Sequence, residues 1–225
     1  MIEVILIAAA AYAVSYILGR MGCWADRLDA IREEDREYAR QLEEFDATYS
    51  PEPADVELAR RCHEYLDGKF PAGVAATVSG MSRRQLQTLF EEIISDAADM
   101  MGVRLDTVDI YSTDREPECY YYGCYRHADR SLRINAAFIF CGREDMIREQ
   151  ISTIFHELKH GRQWTAVENF LEDGDTFGYS QELLRRWAEN LSHYIPPTAD
   201  DELYRKQPVE ADAYGFEHAV MGDLS

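Results

Sequence analysis

MIREQISTIFHELKH, from Met146 to His160, is the stretch from which the fold is best read. Met146, Ile147, Ile151, Ile154, Phe155 and Leu158 recur at helical spacing, so the chain from Arg143 onward reads as a helix. A stripe this continuous belongs in a core. Within the helix stands His156-Glu157-Leu158-Lys159-His160, the pattern H-E-x-x-H. Residues four apart share a helix face. Two imidazoles at that spacing can hold one tetrahedral metal ion, with zinc the default. Glu157 stands about 100° round the helix from His156. That is out of line for a ligand and well placed to touch a metal-held water, whose pKa zinc lowers from about 16 to about 7. A carboxylate there can take the water's proton and pass it to a leaving amine. The competing reading is a helix with two surface histidines. Against it, burying two imidazoles and a carboxylate with neither metal nor partner would be costly.

A catalytic zinc needs a third protein ligand and an open fourth position. Glu210 is the best candidate, in the run QPVEADAYGF from Gln207 to Phe216. Pro208 suits a first helical turn, and Ala213 and Phe216 provide small and apolar contacts toward the metal helix. The alternatives are Glu217, one face-repeat further on, and His193 at a helix end before Pro196. A solvated acid in an acidic chain is the plain reading of Glu210.

Outward from this site the chain is mixed. Ser50 to Pro53 is a break, and a helix is expected from about Ala54 to Leu66, ended by Gly68, Pro71 and Gly73. Ser82 with Gln85 forms a capping box. Behind it Leu86, Leu89, Phe90, Ile93, Ile94, Ala97 and Met101 give the strongest amphipathic helix, with Gly102 as its stop. The period then changes to two. Thr107–Tyr111, the aromatic run CYYYGCY (Cys119 to Tyr125) and Leu132–Ala136 read as three short strands, taken as antiparallel. The fold class expected is α+β, with helices on a small three-stranded sheet. Cys119, Cys124 and Cys141 read as buried free thiols rather than a second metal site.

The N-terminus is apolar. Val4 to Gly19 carries no charge and spans roughly 24 Å as a helix, short of the roughly 30 Å of a bilayer core unless Met21 to Trp24 are included. A single membrane anchor over residues 4–24 is the favoured reading, with the body in the cytoplasm by the positions of Arg20 and Arg27. A signal peptide, giving a secreted protein, and a buried helix of a soluble cytoplasmic protein are the alternatives. The expected organisation is residues 1–23 as a hydrophobic helix, 24–50 as a charged helical stalk, and 51–225 as the functional domain. The chain has 225 residues and a formal net charge of −19. Such a charge repels phosphate backbones and argues against nucleic-acid binding. Five cysteines, an odd number, do not make a disulfide scaffold.

Residues 82–221 resemble a minimal gluzincin metallopeptidase: a helix, a small sheet, the H-E-x-x-H helix, then a helix bearing a glutamate ligand. HELKHGRQW with the later PVEADAYGF is similar to small bacterial and phage zincins. It is also similar to the ImmA/IrrE group, where a glutamate is followed by alanine at i+3 and an aromatic or small residue at i+6. The resemblance implies a zincin-like fold with His156, His160 and Glu210 as zinc ligands and Glu157 as general base. It further implies that the strand before the metal helix, Leu132 to Ala137, lies at the sheet edge and pairs with an extended substrate. The chain departs from thermolysin-type gluzincins, which carry an aspartate four residues after the ligand glutamate, where Tyr214 stands here. It leaves the partner of His160 unidentified and does not select an oxyanion donor among Tyr204, Tyr214 and His193. The activity expected is zinc-dependent hydrolysis of peptide bonds in a protein or peptide substrate. The rival expectation is a non-catalytic zinc-containing regulatory or interaction module on a membrane anchor.

Overall fold

Pro53 sits in the first turn of helix α1 (Pro53–Lys69), where its missing N–H forfeits no hydrogen bond. The structure is a computed structural model, and it describes residues 38–42, 51–111, 122–197 and 199–222. After α1 come a short helix, α2 (Val74–Val78), and the long helix α3 (Arg83–Met101). Helix α3 begins and ends as its sequence dictates. The Ser82 side chain accepts from Gln85 N, the Gln85 side chain accepts from Ser82 N, and Gly102 closes the helix at φ 65° in the left-handed region. Leu86, Phe90, Ile93, Ile94, Ala97 and Met101 are its buried face.

Three strands follow: β1 (Thr107–Tyr111), β2 (Gly123–Arg126) and β3 (Ser131–Asn135). Their order is β1-β3-β2. Strand β2 runs antiparallel to β3 with Cys124 opposite Arg133, and β1 runs parallel to β3 with Asp109 opposite Arg133. The sheet is therefore mixed, which corrects the expectation of three antiparallel strands. Alternation identifies a strand but carries no information on direction. A turn through His127–Asp129, with Arg130 at φ 46°, sends the chain straight back and makes β2–β3 antiparallel. Strand β3 is the centre of the sheet and β2 an edge, so the edge position expected for Leu132 to Ala137 is also corrected. The burial pattern gives the reason: Ser131, Leu132, Ile134 and Asn135 are all buried, as a strand paired on both sides requires.

The remaining helices are α4 (Ala136–Phe140), α5 (Glu144–Glu172), α6 (Gln181–Ser192), α7 (Asp201–Lys206) and α8 (Pro208–Met221). The described chain is thus mostly helical with one small sheet, an α+β protein. Its contacts divide it into two units: Met1–Tyr49 with Val167–Ala211, and Ser50–Ala166 with Asp212–Ser225. Helices α5 and α8 each run unbroken through a boundary between them.

In the Ser50–Ala166 unit one apolar core joins Leu66 of α1, Phe90 and Ile93 of α3, Leu132 and Ile134 of β3, Ile154, Phe155 and Leu158 of α5, and Phe216 and Val220 of α8. Each such side chain contributes roughly 1.5–3 kcal/mol by burial. An exposed ion pair gives about 0–1. The apolar stripe, rather than the abundant surface charge, therefore sets α5 against the sheet. Two glycines let β2 come close to α5. A Cβ at Gly123 would lie 2.8 Å from the Arg133 carbonyl and 3.1 Å from Thr153, and one at Gly161 would lie 2.6 Å from Val103 and 3.2 Å from the Tyr125 ring.

In the other unit Trp187 is fully buried against Tyr179, with ring centroids 4.8 Å apart. Asn190 and Gln207 organise the loop leading to α8. Asn190 Nδ2 donates to Gln207 Oε1, and Asn190 Oδ1 accepts from Val209 N at 3.0 Å, satisfying one of the unpaired N–H groups of the α8 N-terminus.

The hydrophobic helix expected over residues 1–23 lies outside the described residues. Of the stalk expected over 24–50, residues 38–42 are described; they are helical, with Tyr38 and Leu42 buried. Among the described residues no helix is long and apolar enough to cross a membrane. The cysteine reading is corrected at two places: Cys124 is disulfide-bonded and Cys141 is an exposed free thiol, while Cys62 is free and buried.

Candidate metal centre

Helix α5 presents His156 and His160 from adjacent turns, with His156 buried and His160 half-buried. Their rings meet edge to face, with centroids 4.8 Å apart, and the two Nε2 atoms lie 3.1 Å from each other. Each Nδ1 faces an oxygen. Gln163 Oε1 lies 2.9 Å from Nδ1 of His160, and Glu217 Oε2 lies 3.1 Å from Nδ1 of His156. The Gln163 oxygen favours the proton on Nδ1 of His160, whereas Glu217 makes a charge contact with His156 that lacks hydrogen-bond geometry. The Nε2 lone pair of His160 then points at Nε2 of His156, 3.1 Å away, a spacing at which the two nitrogens can share a cation or a proton. Zinc bound tetrahedrally by two imidazoles at about 2.0–2.1 Å would place the nitrogens about 3.3 Å apart, close to the spacing found.

Glu210 stands in the first turn of α8, two residues ahead of Asp212 on the same unbroken helix. It is fully buried. Its Oε1 accepts from the Tyr194 hydroxyl at 2.6 Å, and the helix N-terminus favours its negative charge. His156, His160 and Glu210 each offer one ligand atom, and these atoms all lie within 4.8 Å of one another. Two nitrogens and one carboxylate are a donor set that suits zinc and leaves a fourth position for water.

The half-buried Glu157 lies beside the edge strand. Its Oε2 accepts from the backbone N–H of Tyr125 in β2 at 2.7 Å. Residues 122, 124 and 126 bond inward to β3, so Tyr125 N–H points out of the sheet, toward α5. Gly161 makes room for the Tyr125 ring on the same side.

Behind His160 runs a buried polar chain. Gln163 Nε2 donates to Asp212 Oδ2 at 2.8 Å, and Lys159 Nζ donates to the same oxygen at 3.0 Å and to Asp55 Oδ1 of α1 at 2.7 Å. Lys159 and Asp55 are wholly buried, with the Lys159 ammonium 5.2 Å from the Phe216 ring centre. Burial raises the Asp212 carboxyl above the usual carboxylate range, against the pull of Lys159.

The alternatives to Glu210 fall elsewhere. Glu217 faces the Nδ1 of His156, not the paired Nε2 atoms, and His193 stacks on Tyr38 with centroids 5.5 Å apart. Of the oxyanion candidates, Tyr214 packs its ring on His156 at 4.7 Å and Tyr204 meets Tyr194 edge-on at 6.2 Å. Residues that the sequence reading passed over are Gln163, Lys159, Asp55, Asp212 and Tyr194. Lys159 was the one with a signal: a cation four residues after Phe155, on the apolar face of its helix, must find a buried acid. No family model matches the chain, and no curated protein or solved structure matches it either.

Proposed function

We propose that this chain is a zinc-dependent metallopeptidase with a gluzincin-like site, in which His156, His160 and Glu210 hold the ion and Glu157 is the general base. The observation that carries the reading is the pair of Nε2 atoms 3.1 Å apart, with Glu210 in the same cluster of potential ligands. When bound there, zinc supplies a Lewis acid that brings the pKa of a water near neutrality.

The chain's own residues do the rest. Tyr125 N–H holds Oε2 of Glu157, so Oε1 is the oxygen that receives the proton and later delivers it to the leaving amine. Helix α5 fixes the distance between base and ligands, since Glu157 is next to His156 and three residues from His160. Tyr194 holds Glu210 in one rotamer. Gln163 orients the His160 imidazole through its hydrogen bond to Nδ1, as the outer partners of metal-binding histidines generally do, and Glu217 lies beside Nδ1 of His156. The sequence resemblance to small zincins supports the same reading, and substrate is a protein or peptide chain.

The test is a peptide library incubated with the full zinc-loaded chain and read by mass spectrometry. Wild type cleaves; Glu157→Gln keeps one zinc per chain and loses cleavage by at least about 100-fold. Equal cleavage by the two proteins would overturn the assignment of the base, and absence of cleavage by both would favour the interaction-module reading.

A further inference from the structure

We infer that Lys159, acting through Asp212 and Gln163, sets the tautomer of His160 and so decides which of its ring nitrogens is free to bind a cation. The inference rests on the metallopeptidase reading for its purpose, though not for its wiring. All the groups concerned lie in the Ser50–Ala166 unit with its Asp212–Ser225 segment.

The wiring follows from donor and acceptor counting. A lysine ammonium has donors only. The Asp212 oxygen 3.0 Å from Lys159 Nζ is therefore an acceptor, whatever the state of the other oxygen. That same oxygen, Oδ2, is the one 2.8 Å from the Gln163 amide. Gln163 must then present its NH2 group to Asp212, because an amide oxygen there would face an acceptor. With its NH2 so placed, its Oε1 faces His160 Nδ1 at 2.9 Å. An acceptor at that distance requires a proton on Nδ1. The lone pair of His160 is left on Nε2, 3.1 Å from Nε2 of His156. Turning the amide of Gln163 by half a rotation would reverse every step and put the proton on Nε2, where it blocks coordination.

Asp55 has a place in this chain as well. Lys159 is wholly buried, and a buried cation needs more than one acceptor. Asp55, on α1, takes a second ammonium proton at 2.7 Å and keeps Nζ pinned between the two acids. The Phe216 ring covers a third side. Lys159, Asp212 and Gln163 are thus positioning residues: none touches the cation, and each restricts the next.

The test uses the full chain, stripped of metal and labelled with 15N at histidine. Long-range 1H–15N correlation shows which ring nitrogen carries the proton. In wild type His160 carries it on Nδ1. Gln163→Leu removes the acceptor and Asp212→Leu frees the Gln163 amide to turn; in both, a large Nε2–H population of His160 appears. In both, zinc affinity, measured against a chromophoric chelator, falls by about 10- to 100-fold. Asp212→Asn keeps an oxygen to which Lys159 and Gln163 can both donate, so His160 keeps its proton on Nδ1 and the affinity stays close to wild type. Wild-type His160 protonated on Nε2 would overturn the inference, as would an unchanged tautomer in both leucine variants. Wild type with the proton on Nδ1 but no zinc uptake supports the wiring and overturns the metallopeptidase reading instead.

Discussion

Replacing Lys159 by methionine isolates the cost of an unbalanced charge in the core. Lys159 and Asp55 are wholly buried and 2.7 Å apart, and Asp212 lies 3.0 Å away on the other side of the ammonium. Methionine has a similar length and keeps the packing on Phe216, so little apolar contact is lost. What is lost is the cation, which leaves two buried carboxyl groups with no positive charge between them, Asp212 keeping only the Gln163 amide as donor. Breaking a buried pair in this way costs about 3–5 kcal/mol, against about 5–15 kcal/mol of total stability for a domain. At roughly 2–4 °C per kcal/mol for a chain of this length, the melting temperature falls by about 6–20 °C. Urea unfolding in EDTA, followed by far-UV circular dichroism, reads the change without any contribution from metal. The triple variant Asp55→Asn/Lys159→Met/Asp212→Asn removes all three charges together and recovers most of the loss, because the penalty belongs to the imbalance rather than to the missing contacts. A loss below about 1 kcal/mol for Lys159→Met would place the cluster among solvent-screened pairs and refute the reasoning. So would a triple variant no more stable than the single one.

Other outcomes follow from the same structure. Burial pushes the Cys62 thiol up to about 12, so at pH 8 a disulfide-exchange reagent modifies the exposed Cys141 and reaches Cys62 only after denaturation; peptide mapping of the labelled protein checks this. Gly161→Ala drives a methyl group to 2.6 Å from Val103 and 3.2 Å from the Tyr125 ring. It costs about 1–3 kcal/mol in chemical denaturation, where Gly68→Ala, with open space around its Cβ, costs nothing measurable and gains helix propensity. The anchor proposed for residues 4–24 predicts that the full chain stays in the membrane pellet through alkaline carbonate extraction while a chain lacking residues 1–24 does not, and a full chain recovered in the supernatant would refute it.

What could be read in advance follows the range of the interaction. Helix α3 was legible from end to end because its signals are local: Ser82 and Gln85 cap it, its stripe has one period, and Gly102 ends it in a conformation that suits glycine. Helix α5 and its two histidines were legible for the same reason. Glu210 was named from Pro208 before it, from the small and apolar residues Ala213 and Phe216 after it, and from the resemblance to gluzincins. The order of the strands was hidden, because alternation in Thr107–Tyr111 and Leu132–Ala136 marks a pleat and not a neighbour. The partner of Lys159 was hidden by distance. Asp55 lies 104 residues away, and nothing in the acidic run around it distinguishes it from the chain's many other acids. Gln163 was closer to legible. It is three residues beyond His160 on the same helix, within reach of its ring, but an amide beside an imidazole becomes informative only once Asp212 fixes which way it points.

Metal content is the most direct measure of the central claim. Full-length wild type, His156→Ala and Glu210→Ala are purified in parallel, equilibrated with limiting zinc, desalted and analysed by atomic emission. The account predicts one zinc per wild-type chain and loss of that zinc in both variants, with circular dichroism unchanged. Wild type without zinc, or zinc held at full stoichiometry by His156→Ala, would contradict it.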